Sequence, residues 1–184
     1  MKAQENALLI PLPEFSAQSR DELQRAIYDC CRDNISSSED KGPTRLHGPI
    51  GKWDVSQVTN MTKIFHNLKY FNYSPSDWDV SRVTDMCRMF CRAITFNQDL
   101  SKWDVSRVTN MRAMFRDAES FNRDLCNWDV SRVTDMGEMF LDAQSFQQTL
   151  CNAAWVNSDA LKVDMFTRSP GSISNRVCGA YMLW

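Results

Sequence analysis

The sequence predicts a short α/β solenoid of four clear coils, and three observations lead to that fold class. Four tryptophans begin similar units at an even spacing of 25 residues: Trp53, Trp78, Trp103 and Trp128. Each begins a copy of Trp-Asp-Val-Ser-x-Val-Thr-(Asn/Asp)-Met, in which x varies and the eighth residue is Asn or Asp. Apolar residues and a phenylalanine follow in every copy. A fixed period of this size is typical of repeat proteins, in which each unit buries its apolar face by stacking on its neighbours.

Each predicted coil contains a short parallel strand and a short helix. In the third copy the β-branched pair Val108-Thr109 suits a strand of a few residues, and Asn110 is a good helix N-cap. The apolar residues after it recur at the i, i+3, i+4, i+7 spacing of one helical face: Met111, Met114, Phe115 and Ala118. We therefore expect a strand, a cap, a helix of about two turns and a return loop in every copy.

Composition and period divide the chain into four segments. Residues 1–18 are predicted to form an extended arm, and residues 19–50 a capping helix with an entry loop. Residues 51–150 hold the four repeats, and residues 151–184 form a C-terminal cap with a degenerate fifth repeat. Pro11 disfavours helix in the arm. The arm and the C-terminus are too apolar for free tails, so we expect both to dock against this domain or a partner.

The capping helix has its own start signal. Ser19 and Glu22 are spaced as a capping box, in which each side chain satisfies an early backbone N–H. The residues that follow lie on one helical face: Leu23, Ala26, Ile27 and Cys30. An amphipathic helix before the repeats is well placed to cover the open end of the stack.

The bulk composition is that of an ordinary globular domain. The formal charge of −2 at pH 7 provides no global field that favours nucleic acid or an anionic membrane. No apolar run approaches the length of about 20 residues that a transmembrane helix needs. The first residues lack the long apolar region of a signal peptide, which favours an intracellular or organellar location over the cell surface.

The cysteine count leaves the redox state open. Seven cysteines are an odd set, which argues for buried thiols rather than a complete disulfide framework. Cys126 and Cys151 occupy equivalent places on adjacent copies, so a disulfide between them is conceivable. Two stacked thiols are the favoured alternative.

Equivalent residues on successive coils should form ladders about 5 Å apart. A large residue at the start of every coil is more simply a core stack than an exposed binding stripe, so we expect the tryptophans to be buried. A second ladder is acidic: Asp54, Asp79, Asp104 and Asp129. Calcium binding is one interpretation of it, but no glycine-rich loop separates the ligands, and capping of backbone N–H groups is favoured.

A third ladder is the best candidate for a functional surface. Arg82, Arg107 and Arg132, preceded by Gln57 in the first copy, should point outward on the strand face. Guanidinium groups in a row can bind a carboxylate-rich protein surface or a phosphate backbone. The alternative is a solvated face in which the arginines pair with nearby aspartates. Aromatic residues are not interleaved with the arginines, so we expect no nucleic acid.

The repeated unit, quoted as Trp-Asp-Val-Ser-x-Val-Thr-x-Met-x-x-Met-Phe-x-x-Ala-x-x-Phe-Asn-x-Asp-Leu, closely resembles the BspA-like leucine-rich repeat. The resemblance covers about residues 51–150 and is specific, because four copies carry it in register. It implies a short leucine-rich-repeat-like solenoid with a parallel strand on one side. It also implies binding and adhesion rather than catalysis.

No recognisable catalytic motif accompanies the repeats. His47 and His66 do not lie near a nucleophile motif, and we expect no enzymatic activity, no cofactor and no metal. The predicted function is protein–protein interaction, as a scaffold or accessory structural subunit of a larger assembly. The alternative is a cell-surface adhesion or recognition module that binds host proteins or glycans. The candidate partner-binding residues are Arg82, Arg107, Arg132, Leu8, Leu9, Ile10, Phe15 and Trp184.

Overall fold

A computed structural model describes residues 15–32 and 47–178. The elements in chain order are helix α1 (Arg20–Arg32), a 3₁₀ helix (Ile50–Lys52), strand β1 (Thr149–Leu150), helix α2 (Ala153–Val156) and strand β2 (Ser172–Ile173). The two strands pair in parallel, Thr149 with Ser172 and Leu150 with Ile173. Repeats one to four begin at Trp53, Trp78, Trp103 and Trp128.

Helix α1 is present where the sequence places a capping box. The Ser19 hydroxyl accepts a hydrogen bond from the Glu22 N–H at 3.2 Å. The Glu22 carboxylate accepts one from the Gln18 N–H at 3.0 Å, one residue before the expected donor. Leu23 and Ile27 are fully buried, so the helix covers the first repeat with its predicted apolar face.

The prediction of a four-coil α/β solenoid, with a strand and a helix in every coil, is wrong. From residue 53 to residue 148 the backbone consists of turns, extended links and single β-bridges, with neither a helix nor a strand. The bridges join successive cap positions, Asn60 to Asp85, Asp85 to Asn110 and Asn110 to Asp135. Among residues 15–32 and 47–178, the one sheet is β1–β2, at the end of the repeats.

The segment predicted to be a helix is a run of tight turns. We call residues 61–68 and their equivalents 86–93, 111–118 and 136–143 the turn segments. In the third repeat, Met114 N–H bonds to Met111 O and Ala118 N–H to Phe115 O, both at 3.1 Å. Ala113 and Asp117 have φ values of 53° and 56°, in the left-handed region. Two left-handed residues, four apart, bend the chain where a helix would continue.

Hydrogen bonds between repeats explain why the helix does not form. In the third turn segment, the N–H groups of Met111, Ala113, Phe115 and Asp117 donate to carbonyls of the fourth repeat at 2.8–2.9 Å. In an α-helix over this segment, the N–H groups of Phe115 and Asp117 would instead bond to the carbonyls of Met111 and Ala113. Here every second N–H points to the next repeat, so stacking replaces helical hydrogen bonding.

The apolar residues of each repeat still form one continuous core. Phe90, Phe115 and Phe140 stack with centroid separations of 5.5 and 5.6 Å and nearly parallel rings. The tryptophans that begin the repeats are 1–4% exposed, which confirms the predicted core stack. Each left-handed residue costs about 1–2 kcal/mol. Burial of each methionine or phenylalanine contributes about 1.5–3 kcal/mol. The free energy gained by burying the core of a repeat therefore exceeds the cost of its two left-handed residues.

The open end of the stack is covered by a side chain. The carbonyl of Thr62 has no preceding repeat to bond, and Arg20 of α1 donates to it from Nε at 2.9 Å and from Nη2 at 2.7 Å. At the other end, Phe166 stacks on Phe140 at 5.4 Å, and Trp155 is fully buried. Both ends thus receive cover from residues outside the regular repeats.

Candidate functional site

The arginine row (Arg82, Arg107, Arg132) lies at a corner of the repeats rather than on a strand face. In the third repeat, Val108 N–H bonds to Val105 O at 2.9 Å and closes a β-turn. The two valines are buried, and Arg107 occupies the third position of the turn. The same Val-Ser-Arg-Val turn holds the other two arginines, so all three side chains are exposed.

A threonine ladder fixes the spacing of this corner. Thr109 N–H donates to Thr84 O at 2.9 Å, and Thr109 Oγ1 donates to the same carbonyl at 3.1 Å. Thr134 makes the same pair of bonds to Thr109, at 2.8 and 3.0 Å. The arginine row is therefore attached to a regular backbone, although its side chains are free to adjust.

The arginines of the row are not neutralised by direct ion pairs within the described residues. Arg82 Nη1 donates to the neutral side chain of Gln57 at 2.8 Å. Within residues 15–32 and 47–178, none of the three arginines forms an ion pair. The alternative in which they pair with neighbouring aspartates is thus not what the structure has.

Those aspartates have a different partner. Each one accepts a hydrogen bond from the N–H of the serine two residues later, at 3.0 Å: Asp54, Asp79, Asp104 and Asp129. This is the predicted capping role. Hydrogen bonds from the Ser56 N–H and hydroxyl hold the pKa of Asp54 below its ordinary value. Those from the Ser106 hydroxyl and N–H do the same for Asp104.

A shallow depression of about 550 Å³ adjoins the C-terminal end of the arginine row. Arg132 and Thr134 line one side of it, and Ala153, Asn157 and Asp159 from α2 and the following loop line the other. It forms because Trp155 follows Trp128 by more than one period, which inserts α2 beside the fourth repeat. The depression offers a partner both a cation and a small apolar wall.

The predicted apolar contacts at the chain ends have a mixed outcome. The Phe15 ring packs against His47 and Trp53 with centroid separations of 4.6 and 4.8 Å. The Phe15 carbonyl accepts the Asp54 N–H at 2.9 Å, so this residue belongs to the packing of its own domain. Four other candidates lie outside the described residues: Leu8, Leu9, Ile10 and Trp184.

The turn segments carry an ion-pair network that the sequence analysis missed. Glu138 bonds both Arg112 and Arg116, the latter at 2.6 Å, and Arg168 bonds Asp142. Asp135, at the cap position of the fourth repeat, accepts a hydrogen bond from the Gly137 N–H at 2.8 Å. Alignment of the four turn segments would have shown that charged residues change from copy to copy at fixed outward positions.

Two unpaired cations, Lys63 and Arg88, lie in the first two turn segments. Burial, followed by the charges of Lys63, Arg92 and Arg88, holds the pKa of His66 below its ordinary value. No ion pair of Lys63 or Arg88 occurs within the described parts of the chain. Lys63 and Arg88 thus form a second group of unpaired cations, on the turn segments rather than at the corners that hold the arginine row.

The structure pairs the cysteines differently from the conceivable Cys126–Cys151 disulfide. Cys151 is bonded to Cys178, and Cys126 keeps a free thiol. The Cys126 and Cys151 sulfurs do lie side by side at 3.2 Å, as stacking of equivalent positions requires. Cys178 could not be placed by the repeat period, because it follows the last copy by an irregular path.

One family model matches the chain. It is described as a Mycoplasma protein of unknown function, DUF285, and it matches residues 36–155, about two thirds of the chain. The chain belongs to the DUF285 family. No curated protein and no solved structure matches it. The described residues of this DUF285 protein contain no helix that is long and apolar enough to cross a membrane.

Proposed function

We propose that this DUF285 protein is a non-catalytic protein–protein interaction module, a scaffold or accessory subunit of a larger assembly. The observation that carries the proposal is the arginine row, three exposed guanidinium groups at equivalent corners without an ion pair in the described chain. Arginine binds carboxylates with two parallel hydrogen bonds, so a partner with acidic side chains at a matching spacing fits best.

The order of the backbone beneath the arginines supports this proposal. Hydrogen bonds of the threonine ladder hold the corners at a regular spacing, so less freedom is lost when a partner binds. The aspartates that cap the same corners are exposed and negatively charged, which gives the surface two rows of opposite sign. A mixed surface of this kind favours a protein with complementary charges over a uniformly anionic polymer.

The resemblance of the repeated unit to BspA-like leucine-rich repeats agrees with a binding role. Four copies of that unit lie within the residues matched by the DUF285 model. Members of the resembled family are used for binding and adhesion, which is why we favour recognition over catalysis.

The direct experiment is a native pull-down of the tagged protein from its own cells, followed by size-exclusion chromatography and mass spectrometry. We expect co-migration with a defined assembly and crosslinks that fall near the arginine row. The double variant Arg107→Glu/Arg132→Glu should then lose the assembly. Lys63→Glu/Lys69→Glu makes the same change of charge on exposed residues of the turn-segment side and should retain it. Equal loss in both variants, or a monomer throughout, would contradict the proposal.

The second candidate function is adhesion or recognition of host proteins or glycans at the cell surface. The Cys151–Cys178 disulfide favours it, because disulfides persist mainly in oxidising compartments. Labelling of intact cells with a membrane-impermeant amine reagent separates the two candidates. Labelled protein would favour adhesion, whereas label only after lysis would favour the scaffold.

A further inference from the structure

Three cysteines from three successive layers meet beside the end of the repeats. The sulfurs of Cys126, Cys151 and Cys178 all lie within 4.8 Å of one another. Cys151 and Cys178 form the disulfide, and the free Cys126 sulfur is 3.2 Å from Cys151 Sγ and 3.8 Å from Cys178 Sγ. The Cys126 sulfur lies beside the S–S bond and close to both of its sulfurs, so thiol–disulfide exchange requires its side chain to swing in line with that bond.

Backbone hydrogen bonds hold this arrangement. The Cys151 N–H donates to Cys126 Sγ at 3.1 Å, and the Cys126 N–H donates to Asp124 Oδ1 at 2.7 Å. The Cys178 N–H donates to the Cys151 carbonyl at 2.8 Å. The three sulfurs are therefore juxtaposed by the register of the chain and not by side-chain rotation alone.

Three of the remaining thiols have environments that suppress their reactivity. Burial raises the pKa of Cys31 to about 12. Burial is also the main reason that the pKa values of Cys87 and Cys91 are raised above the ordinary value. Since the thiolate is the nucleophile in exchange, these cysteines provide an internal control for non-specific shuffling.

We propose that Cys126, Cys151 and Cys178 form an exchange site in which one disulfide moves between two positions. The Cys126 sulfur, as thiolate, attacks Cys151 Sγ; the Cys126–Cys151 bond forms, and the Cys151–Cys178 bond breaks. Cys178 leaves as a thiolate and takes up a proton, which balances the proton lost from Cys126. The exchange conserves one disulfide and one thiol, so it needs no oxidant or reductant.

The two positions of the disulfide close chain segments of similar length. The bonded pair is separated by 27 residues and the alternative pair by 25. Loop-closure entropy depends only on the logarithm of this number, so it favours neither pairing. Local contacts therefore decide the ratio of the two disulfides.

Exchange changes how the C-terminal segment is held. With the bond at Cys178 broken, residues 172–178 remain attached to repeat four through backbone hydrogen bonds such as Ser172 N–H to Gln148 O and Ser174 N–H to Leu150 O. Cys178 is exposed, so its released thiol is a surface nucleophile beside β2. The site thus links the redox chemistry of the three cysteines to the attachment of the chain end.

Disulfide mapping of the full-length protein tests this proposal directly. The protein is equilibrated in a glutathione redox buffer, quenched with acid, alkylated and digested with trypsin. The three cysteines fall on separate tryptic peptides, residues 124–132, 133–162 and 177–184. We expect both crosslinked pairs, 133–162 with 177–184 and 124–132 with 133–162. A single pair with Cys126 fully alkylated would overturn the proposal.

Two variants keep the test decisive. Cys178→Ser should form the Cys126–Cys151 disulfide, and Cys126→Ser should contain only the Cys151–Cys178 pair. If Cys126 and Cys151 both stay reduced in Cys178→Ser, or if Cys30, Cys31 or Cys91 appears in comparable crosslinks, directed exchange is refuted. Isolation of all three thiols reduced around a bound zinc ion would also refute it, in favour of a metal site. None of these outcomes depends on the pull-down result.

Discussion

Helix α1 and the turn segments have the same spacing of apolar residues but different backbones. The i, i+3, i+4 spacing of Leu23, Ala26 and Ile27 is also that of Met111, Met114 and Phe115, and all six residues are buried. Yet α1 is a helix, whereas the turn segment 111–118 contains two left-handed residues, Ala113 and Asp117. Apolar spacing therefore identifies which side chains reach the core. It does not decide whether the N–H groups bond within the segment or across to a neighbour.

The largest expected effect is loss of the shared core. Phe115→Ala removes a fully buried ring that stacks between Phe90 and Phe140. The centroid of this ring also lies 4.0 Å from that of Phe121. The substitution should lower the free energy of unfolding by about 3–5 kcal/mol, measured by urea denaturation. Tyr70→Ala, at a residue that is 80% exposed, is the control and should change it little. A small effect of Phe115→Ala would show that the repeats do not share one core.

The next largest effect is expected at the contact between α1 and the first turn segment. Arg20→Met keeps the aliphatic stem but removes both hydrogen bonds to the Thr62 carbonyl. The free energy of unfolding should fall by about 1–3 kcal/mol. Arg82→Met removes an exposed guanidinium from the arginine row and should change it by no more than about 0.5 kcal/mol. Equal effects would mean that Arg20 does not cap the stack.

Relative to alanine, glycine should lower the free energy of unfolding in α1 and raise it at a left-handed residue of a turn segment. Arg25 is exposed inside α1, so Arg25→Gly should be about 1 kcal/mol less stable than Arg25→Ala. Lys63 is exposed with φ of 60°, so Lys63→Gly should be about 1 kcal/mol more stable than Lys63→Ala. Thermal and urea unfolding of the four variants measure both differences. The same sign at both sites would indicate that residue 63 is not left-handed in solution.

The smallest effect is a dependence on pH. The pKa of Asp104 is lower in the folded chain because the Ser106 hydroxyl and N–H bond its carboxylate. Its stabilising contribution is complete above the unfolded pKa of about 4 and is lost as the pH falls through the lower folded pKa. Asp104→Asn retains an oxygen acceptor, so its stability should fall less between about pH 4 and pH 2. A profile identical to that of the parent protein would contradict this role.

The sequence allowed prediction of the core but not of the backbone path. The tryptophan stack, the aspartate caps and the start of α1 follow from repeated or local signals. Most of the left-handed residues could not be foreseen. Ten non-glycine residues in the described parts of the chain adopt positive φ, and only four of them are Asn or Asp, the types that favour this region. Their cause is the neighbouring repeat, which is invisible in a single copy.

Parts of the candidate site were equally dependent on tertiary contacts. The arginine row followed from the period, although its place at a turn corner did not. The Glu138 ion pairs and the Cys151–Cys178 disulfide join residues whose partners differ from copy to copy. A rule based on equivalent positions necessarily misses such contacts, since it describes only what the copies share.

The most direct test of the hydrogen bonding between repeats is an NMR experiment that detects scalar couplings across hydrogen bonds. Perdeuterated, isotope-labelled protein should show couplings from the Ala113 nitrogen to the Gly137 carbonyl carbon and from the Phe115 nitrogen to the Met139 carbonyl carbon. Couplings from α1 amides to carbonyls four residues earlier provide the reference for a helix. A coupling from the Phe115 nitrogen to the Met111 carbonyl carbon would instead show a helix in the repeat and contradict this account.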